Sequence, residues 1–198
     1  MGYYIRILGK SLAAPTLLEL QQAAVPAVLE DGDGAGDGWD ELTLKHKSGL
    51  PIAVIEKNPV IAGKLGADEL QEFIDEVSYY KPDSAAAWLK NFLTGIRVIY
   101  AFQLLSGTDV DDGLAVLYRV YGLLWRQAGG ILQADGEGFS NEEGNTILWQ
   151  FSESVTGPWN FAILAQEGRW VSFEMDLGNQ EDREAFWRGE IPKGAKLV

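Results

Sequence analysis

Five residues that can offer oxygen to a cation fall within nine positions of the stretch "ILQADGEGFSNEEGN": Asp135, Glu137, Asn141, Glu142 and Glu143. A second acidic stretch, "VLEDGDGAGDG", carries Asp31, Asp33 and Asp37. A helix–loop–helix calcium site needs oxygen ligands at loop positions 1, 3 and 5, glycine at 6 and a bidentate glutamate at 12. Counted from Asp31, position 5 is Ala35 and position 12 is Leu42; counted from Asp135 they are Phe139 and Thr146. Neither stretch completes that cage. Asp135 and Glu137 remain candidate metal ligands of another geometry. The competing reading is a strand connection whose glycines supply positive φ and whose acids keep it in water. Phe139 adds an apolar anchor to the 131–145 stretch, and the reading adopted is an ordered connection.

A further pair of carboxylates lies in "RWVSFEMDL". Strand periodicity puts Val171, Phe173, Met175 and Leu177 on one face and Trp170, Ser172, Glu174 and Asp176 on the other. Two acids on one strand face can share a proton or hold a cation, or simply face solvent. Trp149, Trp159 and Trp170 fall on three expected strands and are placed to stack across neighbours. Trp149, Trp159, Trp170, Glu174 and Asp176 are therefore the candidate ligand-binding residues.

Other chemistry is excluded by residue type. The chain has no cysteine, so disulfides, thiolate metal sites and cysteine nucleophiles are absent. His46 is its only histidine and shares a strand face with Leu42 and Leu44, which marks a packed histidine and leaves no zinc set. There is neither a G-x-S-x-G elbow nor a phosphate-binding G-x-x-x-x-G-K-[ST] loop. No cofactor is expected, and the balance leans away from an enzyme.

The elements that must position these residues are read from periodicity. Strands are expected at 3–8, 27–30, 40–46, 51–58, 98–106, 130–134, 145–151, 159–165 and 169–177. Helices are expected at 14–24 with Pro15 in the first turn, 67–80, 85–93, 110–128 and 180–189, before a polar tail. Asp109, Asp111 and Asp112 suit the start of the 110–128 helix. That helix is apolar all round, since Leu114, Leu117, Tyr118, Tyr121, Leu124 and Trp125 are joined by Val116, Val120 and Leu123, so deep burial is expected.

The order of elements repeats. "YYIRIL" aligns with "YAFQLL", "VLEDGDG" with "LQADGEG", "LTLKH" with "TILWQ" and "PIAVIE" with "PWNFAIL". The expected fold class is α+β: two related β-α-β-β-β(-α) halves, 1–98 and 99–198, with mainly antiparallel sheets, joined by internal duplication about a pseudo-twofold axis in one compact unit. In element order alone this resembles the glyoxalase-like proteins of the vicinal-oxygen-chelate type, which pair two such modules. That likeness carries no ligand or activity. Tandem ferredoxin-like halves are the rival topology.

The net charge is −13, so phosphate backbones and anionic membrane surfaces are repelled, and a basic protein is the partner permitted. No apolar run approaches the ~20 residues that span a bilayer. The start "MGYYIRIL" has no basic-then-apolar leader, and Arg6 stands where a myristoylation signal wants Ser or Thr, so a cytoplasmic location is expected. The functional expectation is a non-catalytic intracellular interaction protein, with self-association also open to it. The alternative is a small-molecule or metal-dependent enzyme or binder with a cleft between the halves.

Overall fold

The computed structural model describes residues 2–32 and 34–198, so Asp33 of the "VLEDGDGAGDG" stretch lies outside it. The chain is mixed α+β and its strands pair mostly antiparallel. The first elements are β1 (Tyr3–Gly9), α1 (Leu17–Ala24), β2 (Val28–Asp31), β3 (Glu41–Lys45), β4 (Pro51–Pro59), α2 (Leu65–Glu76) and α3 (Asp83–Leu93). Then come β5 (Val98–Leu104), α4 (Gly113–Ala128), β6 (Gly130–Ala134), β7 (Gly138–Ser140), β8 (Thr146–Trp149), β9 (Pro158–Leu164), β10 (Trp170–Asp176), α5 (Gln180–Trp187) and β11 (Lys196–Leu197). These gather into two compact units that exchange segments along the chain: Met1–Asp68 with Ile96–Gly130, and Glu69–Gly95 with Ile131–Val198. No described helix is long and apolar enough to cross a membrane.

In the first unit the strand order is β1-β5-β4-β3-β2, every pair antiparallel. β5 is buried from Val98 to Phe102, as a central strand covered on both faces must be. Leu42, Leu44 and His46 are all buried, as their alternation requires. The Ser48 N–H donates to His46 Nδ1 (3.2 Å), tying the ring to the β3–β4 turn. Burial pushes the Tyr100 phenol up to about 12, so it stays a neutral hydroxyl against the Trp39 ring, 6.0 Å away between centroids.

Three expectations for this unit are corrected. α1 starts at Leu17 and not in the Pro15 turn, because Thr16 is the N-cap of a capping box closed by Glu19. α4 buries one face only: Val116, Leu117, Val120, Tyr121 and Leu124 pack inward, whereas Leu114 and Tyr118 are exposed. Asp109 ends a 3-10 turn, and Asp112 occupies the α4 N-cap at φ 67 without a side-chain cap bond. The tightness there comes from Gly113, where a Cβ would lie 1.9 Å from the Gly107 carbonyl oxygen.

In the second unit, β6, β7 and β8 form an antiparallel meander. β8 then meets β9 in parallel, through Thr146 opposite Phe161. β9, β10 and β11 continue antiparallel. The alignment of "LTLKH" with "TILWQ" and of "PIAVIE" with "PWNFAIL" thus sets an antiparallel pair, β3–β4, against a parallel one, β8–β9. Trp149, Phe161, Phe173, Met175, Leu177 and Phe186 form one buried cluster under α5. The inward face expected of β10 is confirmed at Phe173, Met175 and Leu177. The tail contains a strand, since β11 pairs Leu197 with Phe173 and Lys196 with Glu174.

Candidate functional site

The acidic stretch 131–145 is a strand, a turn, a second strand and another turn. The Glu137 N–H donates to the Ala134 carbonyl (3.1 Å) with Gly136 at φ 72, the conformation a type II turn requires at its third position. Phe139 is buried on β7, edge-on to Phe73 at 5.6 Å, and is the anchor expected of it. Asn141 then organises the β7–β8 turn: its Oδ1 accepts the N–H groups of Glu143 (3.1 Å) and Asn145 (3.0 Å). Among the described residues, no three His, Asp or Glu side chains gather as a metal set. Asp135 and Glu137 stand in the β6–β7 turn, and Glu142 and Glu143 in the β7–β8 turn.

Of the three candidate tryptophans, Trp149 and Trp159 both meet Phe151, and Trp170 meets Trp88 instead. Trp149 is buried and lies parallel to Phe161 at 5.7 Å, with its Nε1–H donating to the Phe151 carbonyl. Trp170 is half-buried and meets Trp88 of α3 edge-on at 5.0 Å. Trp159 is 37% exposed. Its Nε1–H donates to Thr146 Oγ1 (2.9 Å) and its ring abuts Phe151 at 5.3 Å, so the exposed indole is held at two points. The expected stack of the three is replaced by these separate contacts. The physical reason is register: Trp159 sits opposite Met175, and Trp170 opposite Leu164.

The two candidate carboxylates also part. Asp176 is exposed and serves the backbone, its Oδ1 accepting the Gly178 N–H (2.7 Å) and the Gly157 N–H (3.0 Å). Those bonds hold its pKa below the usual aspartate value, Gly178 contributing most. A lowered folded-state pKa means stability that is present above the ordinary value and lost as pH falls through the lowered one. Asp176→Ala should therefore lower the melting temperature at neutral pH, and the gap from the parent should close in acid below that lowered value. A gap that persists unchanged in strong acid would contradict this role.

Glu174 stands elsewhere, half-buried in the middle of the β9–β10–β11 ladder, opposite Asn160 on one side and Lys196 on the other. Gly144, Pro158, Trp159, Asn160 and Glu174 line one cleft of about 220 Å³. Of the candidate residues, Trp159 and Glu174 line that cleft from opposite sheet faces, and Trp149, Trp170, Asp176, Asp135 and Glu137 lie outside it. Asn160 was missed. Its signal lay in the "AQEGR" hairpin, where the Ala165 N–H donates to the Arg169 carbonyl and Gly168 takes φ 74. Counting back from that turn sets Asn160 opposite Glu174.

A larger concavity of about 630 Å³ runs along α5, lined by Glu181, Asp182, Glu184, Arg188, Glu190 and Lys193 among others. Its lining mixes both charges and offers no aromatic surface. Burial and then the neighbouring Glu181 and Asp176 charges raise the Asp182 pKa. The Glu174 cleft is smaller, but Asn160 and Glu174 stand opposite each other on one sheet face and set a carboxamide beside a carboxylate, which is the better-defined recognition chemistry.

The chain matches no family model, and neither a curated protein nor a solved structure is significantly similar to it.

Proposed function

We propose that this is a non-catalytic interaction protein that takes a cationic side chain of a basic partner into the cleft lined by Asn160 and Glu174. The observation that carries the reading is the pairing of a carboxylate, Glu174, with a carboxamide, Asn160, in one cleft of a chain with net charge −13. The carboxylate offers a cation a charge-assisted acceptor, and Asn160 a neutral one. Lys196, the ladder neighbour of Glu174, is a cation of the chain itself and competes with the ligand.

Calorimetric titration with a capped arginine peptide, against its neutral citrulline analogue, tests the reading. The arginine peptide should bind and weaken as salt rises. Glu174→Gln should weaken it about 5- to 30-fold, equivalent to about 1–2 kcal/mol. Lys196→Ala should tighten it. Equal binding of the two peptides, or no effect of Glu174→Gln, would sink the proposal.

We also infer that the chain arose by duplication of a β-α-β unit, β1-α1-β2 and β5-α4-β6. Support comes from the matched order of elements and the aligned "VLEDGDG" and "LQADGEG" stretches. Superposing the two segments in a crystal structure tests it. Tyr3 should fall on Tyr100 and Asp31 on Asp135, and any other best equivalence counts against it.

A further inference from the structure

β2 is the last strand of its sheet, and an outer strand offers backbone groups to any extended chain that approaches. β3 takes one side of it, with Leu29 opposite Leu44. In an antiparallel pair, alternate residues turn their N–H and C=O away from the partner strand. Leu29 is one of these, because its N–H donates to the side-chain Oε1 of Gln21 at 2.9 Å. The Nε2 of the same carboxamide donates to the Ala27 carbonyl at 3.2 Å. The carboxamide of Gln21 therefore bonds the carbonyl before Val28 and the N–H after it, the two groups that a peptide unit of an added parallel strand would use. Gln21 itself is held in place from α4. Arg119 donates through Nε to the Ala23 carbonyl (3.0 Å) and through Nη2 to the Val25 carbonyl (2.6 Å), fixing the end of α1 and the turn that leads into β2.

We propose that Gln21 is a latch on the outer edge of β2, and that releasing it turns this edge into a docking strand for β2 of a second copy of the chain. The second copy is the occupant that the residues fit. An antiparallel approach centred on Leu29 lets the Leu29 N–H and C=O of each copy bond the other, a two-fold arrangement that closes on itself. It sets Val28, which is 49% exposed, opposite Glu30 of the second copy. Lys45 is the ladder neighbour of Val28 and already pairs with Glu30 of its own chain at 2.6 Å, so the incoming carboxylate meets a cation on the same face.

Sedimentation velocity over a wide concentration range tests the latch, with far-UV circular dichroism to show that each variant keeps the fold. The parent chain should sediment as a single chain of 21.8 kDa. Gln21→Ala should self-associate, its mass rising with concentration towards twice that value. Gln21→Glu keeps the acceptor for the Leu29 N–H and should stay single. Adding Val28→Asp to Gln21→Ala sets like charges opposite each other and should restore the single chain. Three results would overturn the proposal: a folded Gln21→Ala variant that stays single at every concentration, association that Val28→Asp leaves untouched, or a parent chain that is already dimeric.

Discussion

Truncating Phe161 to alanine should destabilise the protein by about 3–5 kcal/mol, the upper range for loss of a buried aromatic ring. Phe161 is fully buried on β9 and sits at the centre of the aromatic cluster of the second unit. Its ring centroid lies 4.7 Å from Phe186 of α5, 5.7 Å from Trp149 of β8 and 6.3 Å from Phe173 of β10. Three neighbouring strands and the covering helix therefore share one ring. Removing it leaves a cavity that these elements cannot close without breaking a ladder. Urea denaturation measures the loss. Phe161→Leu, which keeps most of the volume, should cost under about 1.5 kcal/mol. If the alanine variant loses as little as the leucine variant, the cluster is not packed around this ring.

Gly138→Ala should be comparably damaging, at about 3 kcal/mol or more, for a reason unrelated to volume. Gly138 takes φ 114, a conformation that L side chains rarely adopt. A Cβ there would lie 2.0 Å from the Leu148 carbonyl oxygen and 3.2 Å from the Gln150 nitrogen, both backbone atoms that cannot swing aside. The clash should part β7 from β8, seen as faster amide exchange at Phe139 and Leu148. Gly136 is the internal control. It also has positive φ (72), but a Cβ there meets nothing within 4 Å, so Gly136→Ala should cost only about 1 kcal/mol of backbone strain. Equal losses at the two positions would show that backbone conformation, and not the approach of β8, decides the effect.

How legible these sites were in the sequence depends on where their causes lie. The alternation of Leu42, Leu44 and His46, and of Phe173, Met175 and Leu177, marked buried strand faces because one strand carries the whole signal. The start of α1 was equally readable, since Thr16 and Glu19 stand at capping-box spacing, but Pro15 drew the boundary too early. β7 was not readable. Of Gly138, Phe139 and Ser140 only Phe139 favours a strand, and the three are extended because β6 and β8 bond them from either side. The same holds for β11, a two-residue strand formed by pairing with β10. Trp159 and Glu174 were singled out by residue type and expected face. What separated Trp159 from Trp149 and Trp170 was register and the parallel join of β8 to β9, which no local pattern records. Asp176 looked like chemistry and proved to be a loop cap, because the Gly157 N–H that it holds is 19 positions away.

The exchange of segments between the two units has a consequence for synthesis of the chain. β1 pairs with β5, Tyr3 opposite Leu104, so β1 is bonded by a strand made about a hundred residues later. At about 5–20 residues per second that is roughly 5–20 s of translation. Through that interval residues 69–95 also emerge, although they belong to the unit whose strands come last. Neither unit can close before most of the chain exists. The protein is thus built to fold late, with Ile5, Ile7 and Leu8 waiting unpaired for β5, and its nascent chain is exposed to premature pairing for longer than that of a protein assembled in sequence order.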